Sequence, residues 1–213
     1  MATNTLTAYL ENKLLDLVYG AVGYTPPDSL YIAVHIASTL SAAASAGATT
    51  ISVADSMPVG STIILNPGQS NTETRSVGAI TGSGPYTVTL AAAPSGSAVA
   101  LGQAHSISEP VTFDPSDTGG NVKEPSGGGY ARVTIANNPT NFPAAVDGVK
   151  SNNVSITWPT ATGNWGMASH AVVYDTLTGG NALAIHAAGT PTQVNTGTTL
   201  SLPVSTGLRA TLD

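Results

Sequence analysis

Residues 154–175, Val-Ser-Ile-Thr-Trp-Pro-Thr-Ala-Thr-Gly-Asn-Trp-Gly-Met-Ala-Ser-His-Ala-Val-Val-Tyr-Asp, decide the fold class. Val154, Ile156 and Trp158 alternate with Ser155 and Thr157, the pattern of a strand with one buried face. Pro159 removes an amide donor and ends the ladder. Gly163-Asn164-Trp165-Gly166 reads as a corner, because glycine allows backbone angles that a side chain forbids. The chain resumes as the apolar run Ala171-Val172-Val173-Tyr174 and stops at Asp175. The two runs are read as a hairpin bracketed by both tryptophans. Rings of that size anchor a core or an interface, and this reading gives one role to each, with Trp165 the candidate for an interface.

Working outward, short strands recur. Upstream lie Leu30–Ile36, nearly all apolar and so expected to be central, and Tyr130–Ile135. Downstream lie Asn181–His186, Thr199–Leu202 and Gly207–Leu212. Loops rich in Gly and Pro separate them, which favours a mainly β fold, a sandwich or jelly-roll-like host domain. One helix is expected, over residues 8–19. Leu10, Leu14, Leu17 and Val18 form its apolar stripe, Thr7 is its cap and Gly20 its stop. Three turns do not persist alone, so the stripe must dock on the domain's own sheet or on a neighbouring copy; Leu10 and Leu14 are the candidate contacts.

Between residues 38 and 108 the texture changes to Ser and Ala, then to strands at hairpin-like intervals: Thr50–Val53, Thr62–Leu65, Thr74–Val77 and Tyr86–Leu90. This reads as a small β-barrel or sandwich module inserted into a discontinuous host domain of residues 1–37 and 109–213, with its two ends close together; the alternative is a long ordered hairpin region of one domain.

The 213-residue chain has only 8% charged residues, against about a quarter in soluble proteins, yet 41% hydrophobic ones. A polar but uncharged surface loses little on burial against neighbours, so the composition suits a part of an assembly. The net charge is −6, and the six cations Lys13, Arg75, Lys123, Arg132, Lys150 and Arg209 are scattered. A phosphate backbone needs a concentrated positive surface, so nucleic acid is not the expected partner. The chain lacks cysteine, an evident secretory signal and an apolar run long enough for a membrane helix.

Signals for chemistry are sparse. His35, His105, His170 and His186 lack metal-site spacing, and His35 and His186 read as structural. Ser169-His170 are a nominal nucleophile and base, but neighbours on a strand face opposite ways. The loop acids Asp114, Asp117, Asp147 and Asp175 show no glycosidase-like pairing. Asp114-x-x-Asp117 beside Gly119-Gly120-Asn121 admits calcium, or an Asx-turn. Gly127-Gly128-Gly129 lacks the Lys-Ser/Thr of a phosphate loop and reads as backbone crossing tightly over a neighbour. Tyr130 and Arg132 then share a face, Arg132 either meeting another molecule or pairing with a nearby acid of its own chain. No cofactor, metal or enzymatic activity is expected.

Several segments carry a resemblance: Tyr9–Asp16, Thr25–Ala33, Ser126–Arg132, Trp158–Gly166, Tyr174-Asp175 and Leu212-Asp213. Over residues 8–36 and 110–213 the chain resembles a family of small tailed-bacteriophage virion proteins, labelled tail fibre proteins and in some phages decorating the head. Residues 38–108 resemble a β module of other phage surface proteins. The resemblance implies a non-enzymatic structural protein and, with the low charge, a homotrimer, with Trp165 or the helix stripe at its axis. The expected role is capsid decoration, a cement on the major capsid protein lattice at the capsid exterior, because the chain is short and lacks a fibrous repeat. The alternative is a tail fibre or tail-associated protein that binds host-surface glycan. A polysaccharide-degrading enzyme is a remote third.

Overall fold

The structure, a computed structural model, describes residues 4–20, 22–93, 96–113 and 123–211. Strand β1 (Asn4–Leu6) leads straight into helix α1 (Ala8–Tyr19). Thr7 caps the helix through its side-chain oxygen, which accepts from the Leu10 amide. The same hydroxyl donates to the Ala182 carbonyl, so the cap also ties the helix to the sheet. At the other end the Gly20 amide bonds the Asp16 carbonyl. The helix is where the apolar stripe puts it.

Eleven-residue β2 (Ser29–Thr39) follows. Then come β3 (Thr50–Val53), β4 (Thr62–Leu65), β5 (Glu73–Thr81), β6 (Tyr86–Ala91) and β7 (Pro110–Phe113). The rest of the chain supplies β8 (Val133–Ala136), β9 (Val149–Ser151), β10 (Ile156–Thr157), β11 (Gly166–Tyr174), β12 (Ala182–Val194), β13 (Ser201–Leu202) and β14 (Arg209–Thr211). Ten strands make one sheet in the order β1-β12-β11-β2-β7-β4-β5-β6-β3, with β8 also on β2, and β10-β13 and β14-β9 form two small ribbons.

A sandwich with an inserted barrel is therefore replaced by a large antiparallel sheet with one N-terminal helix, and no barrel closure is found among the described residues. The reason is β2. It is one strand that pairs with β11 along Tyr31–Ala37 and with β7 through Ser38 and Thr39, so it changes partner at residue 37 and joins both parts into one sheet. An isolated bridge, Leu40 to Val53, reaches across to β3. Thr39 and Pro110 are direct partners, which sets the two ends of the 40–109 stretch side by side.

Strand alternation sorts the core. Ile32, Val34, Ala171 and Val173 point to one side, with Ile156, Trp158 and Trp165, while Ala33, Val172 and Tyr174 point to the other. With both faces covered, β2 and β11 are nearly continuous apolar runs. A further cluster, Leu40 through Val111, shares no residue with these and is built of aliphatic side chains and Met57.

The two halves of residues 154–175 do not form a hairpin. The alternation is right, with Ile156 and Trp158 buried and Ser155 and Thr157 exposed. Yet β10 pairs with β13, whereas β11 pairs with β2 and β12. The corner between them is held from outside: the Trp165 amide bonds the Val194 carbonyl and the Ala161 amide bonds the Thr198 carbonyl.

Candidate functional site

The glycine run does cross tightly over a neighbour. Gly127, Gly128 and Gly129 all have positive φ, at 76°, 60° and 73°. A Cβ at Gly128 would stand 3.0 Å from the Trp165 ring, and one at Gly129 3.0 Å from the Thr162 hydroxyl. The bare backbone lets the indole N–H of Trp165 donate to the Gly128 carbonyl at 2.7 Å. Trp158 donates to the Ile32 carbonyl at 3.1 Å. Both rings are 3% exposed and lie in one core, so the expected division between core and interface is not what this geometry provides. Trp165 is covered by the glycine loop and by the edge of the Tyr130 ring, 5.3 Å away between centroids.

Tyr130 and Arg132 converge on Glu124. The Tyr130 hydroxyl donates to the carboxylate at 2.7 Å and accepts from the Val34 amide at 3.0 Å. Burial first, then the Glu124 carboxylate, pushes the phenol up, so it remains a donor. Arg132 bonds Glu124 through Nε and Nη2, and its Nη1 donates to the carbonyls of Thr176 and Gly179 at 2.7 and 2.9 Å. Its guanidinium lies 3.8 Å from the centre of the Tyr174 ring. Of the two roles open to Arg132, the structure shows the intrachain pair, and the fork is engaged on every nitrogen. Burial, then Glu124, raises the Tyr174 phenol to about 12.

The Tyr174 hydroxyl meets His35 Nε2 at 3.0 Å. His35 is fully buried, and burial first, then the neighbouring His170 and Arg132, lowers it to about 3. It is a neutral, structural histidine. Ser169 and His170 depart from the strand rule. A register shift between Ala168 and His170 in both ladders brings Ser169 Oγ to 3.0 Å from His170 Nδ1. The serine proton is committed to the His35 carbonyl at 3.1 Å, so Ser169 accepts from the imidazole rather than being activated by it. The contact braces the bulge and leaves no nucleophile.

A second polar cluster, missed in the sequence, sits around His105. Its Nδ1 lies 2.8 Å from Glu109 and its Nε2 3.4 Å from Glu73. Glu73 also pairs with Arg75 and accepts from the amides of Gly102 and Gln103 at 2.9 and 2.6 Å. Asn71 bridges to the Ala104 carbonyl at 3.0 Å. Burial alone would raise both carboxyls, but these hydrogen bonds outweigh it and hold Glu73 and Glu109 below the ordinary range. The cluster straps residues 100–109 onto β5. Glu73-x-Arg75 was the available signal, but nothing local links it to His105.

Helix α1 is docked rather than embedded: none of its residues is buried. Leu10 packs on the tryptophan core, and Leu10 and Leu14 line an apolar groove of about 560 Å³ between helix and sheet. Phe142, Leu183 and Leu208 form other walls. Among the described residues no group of three or more His, Cys, Asp or Glu side chains is placed to hold a metal. The Asp114–Asp117 calcium reading lies outside the described residues.

A family model described as Podophage GP4 fiber I protein gp80 matches residues 5–93 and 105–207. The chain belongs to this family. The gp80 match runs through β3 to β6, stretches that the sequence reading set apart from the resemblance to virion proteins, and skips only residues 94–104 between its two segments. No curated protein matches the chain. Membership in the gp80 family makes this a fibre-type phage virion protein. The polar clusters described above brace loops against strands, which agrees with a structural part.

Proposed function

We propose that this gp80-family chain is a tail-associated fibre protein of the phage particle that acts by assembly, without catalysis. The observation that carries the reading is the family match, whose description names a fibre and whose two segments carry most residues of all three buried cores. Capsid decoration, favoured from chain length and the missing fibrous repeat, has no comparable support.

In this reading the chain works as a homotrimer, and residues 38–108 act as a unit that projects from the anchored part towards a host-surface glycan. Support for a separate unit comes from its own aliphatic core and from its adjacent ends at Thr39 and Pro110. The test is copy number and position in purified particles, by quantitative mass spectrometry and electron cryo-microscopy. A few copies at the tail agree with a fibre; hundreds over the head lattice would return the protein to decoration.

A further inference from the structure

The apolar surface of α1 is wider than the part its own sheet uses. At about 100° per residue, Val18, Leu15 and Tyr19 lie roughly 80°, 140° and 180° round the helix from Leu10. They are 70%, 55% and 84% exposed. Leu15, Val18 and Tyr19 together leave open on the order of 450 Å², the size of a patch that is often functional on a monomer and about half of the 800 Å² per partner of a stable interface. A surface of this kind needs a partner of like chemistry.

The same chain carries one. The groove beneath α1 is walled by Leu6, Leu10, Tyr24, Phe142, Leu183 and Leu208, with Lys150 and Arg209 also lining it. Glu11 sits within the outward flank of α1, and Asp16 lies at its edge. None of these four charged groups forms an ion pair with another described residue, in a chain with only six cations in all. An apolar ridge with unpaired acids and an apolar groove with unpaired bases match each other in shape class and in charge.

We propose that the outward flank of α1, Leu15, Val18 and Tyr19, seats in the corresponding groove of a second copy of this chain. Ridge into groove joins two different surfaces, and such a head-to-tail contact gives the ring of the homotrimer reading where its rotation closes. The inference rests on the homotrimer reading above and gives it a surface. Leu10 and Leu14, singled out from the sequence, then form the floor that receives a neighbour while Leu15 and Val18 reach outward.

The absence of cysteine permits a direct test on the full chain. Val18→Cys and Ala145→Cys, the second on the groove lining, are purified separately with different tags, mixed and oxidised. Mixed-tag disulfide species should dominate. Val18→Cys cross-linked chiefly to itself would overturn the ridge-into-groove contact. In parallel, size-exclusion chromatography with light scattering should show an oligomer for the unmodified chain. Leu15→Asp with Val18→Asp should weaken that association at least ~10-fold, since both side chains would sit at the centre of the contact, with an unchanged circular dichroism spectrum. An unmodified chain that stays monomeric at high concentration, or an Asp pair that associates as before, overturns the proposal. Presence of the chain at the tail of purified particles is scored separately, so the fibre reading can stand while this surface fails.

Discussion

The residues around β11 and those around β5 bury themselves by different means. Around β11 the core is aromatic. Two indoles, each with its N–H on a backbone carbonyl, lock loops to strands, and Arg132 is clamped between Glu124 and the Tyr174 ring. Around β5 the core is aliphatic, and a charged strap of Glu73, Arg75, His105 and Glu109 closes it at the surface. An aromatic with a hydrogen bond fixes direction as well as burying area, and it serves where distant loops must meet. Aliphatic packing suffices where short neighbouring strands set their own register. The difference explains why both tryptophans fall on one side of the molecule.

The comparison can be broken most directly at Trp158. Trp158→Ala should cost about 3–5 kcal/mol, with hydrogen exchange rising in β2 and β11 while β5 and β6 keep their protection. Equal loss in β5 and β6 would mean that the two cores unfold as one. Next in size is Glu124→Ala, which leaves Arg132 and the Tyr130 hydroxyl without their shared acceptor. A loss of about 2–3 kcal/mol is expected by urea denaturation, and a change below about 0.5 kcal/mol would show that the clamp contributes little.

Acid should separate the two regions. His35 is held well below the ordinary histidine value of about 6.5, down to about 3. The unfolded chain takes up a proton that the folded one refuses, so the tryptophan-bearing part loses stability progressively as pH falls from about 6.5 towards 3. Glu73 and Glu109 are also held low. Their contribution is complete above the ordinary carboxyl value of about 4.3 and disappears as pH falls through their folded values. Tryptophan fluorescence reports only the first region. Its urea midpoint should begin to drop below about pH 6.5, and His35→Gln should flatten that drop; a flat wild-type profile down to pH 4.5 would contradict the assignment. Smallest is Lys123→Ala. Its partner Asp55 is reached across an exposed pair, so the expected change is under about 0.5 kcal/mol by thermal melting.

What the sequence discloses is local. The stripe of α1, the capping Thr7, the central β2 and the alternation at Ile156 and Trp158 are all legible, because each follows from spacing within a few residues. Non-local pairing is not. Nothing near Trp165 says that its amide will bond Val194, so residues 154–175 look like a hairpin. The sequence reading ends this strand at His186; yet β12 runs on to Val194 through Pro191, and among the described residues β1 pairs only with residues 184–186, so no described partner on that side needs the missing amide. The bulge at Ala168–His170 escapes notice because Met167–Tyr174 contains no glycine or proline to mark it. In the candidate sites, Tyr130 and Arg132 are visible by their shared face, and the glycine run by its composition. His105 is not, since its two carboxylates come from Glu73 and Glu109, on different segments.

Strand β2 has a mechanical consequence. A load applied to residues 40–109 along the axis of β2 enters the remainder of the molecule through β2 and β7, where Thr39 meets Pro110. The rungs joining β2 to β11, from Tyr31 to Ala37, are then strained together in shear instead of parting one at a time. Such a joint yields only when many bonds fail at once.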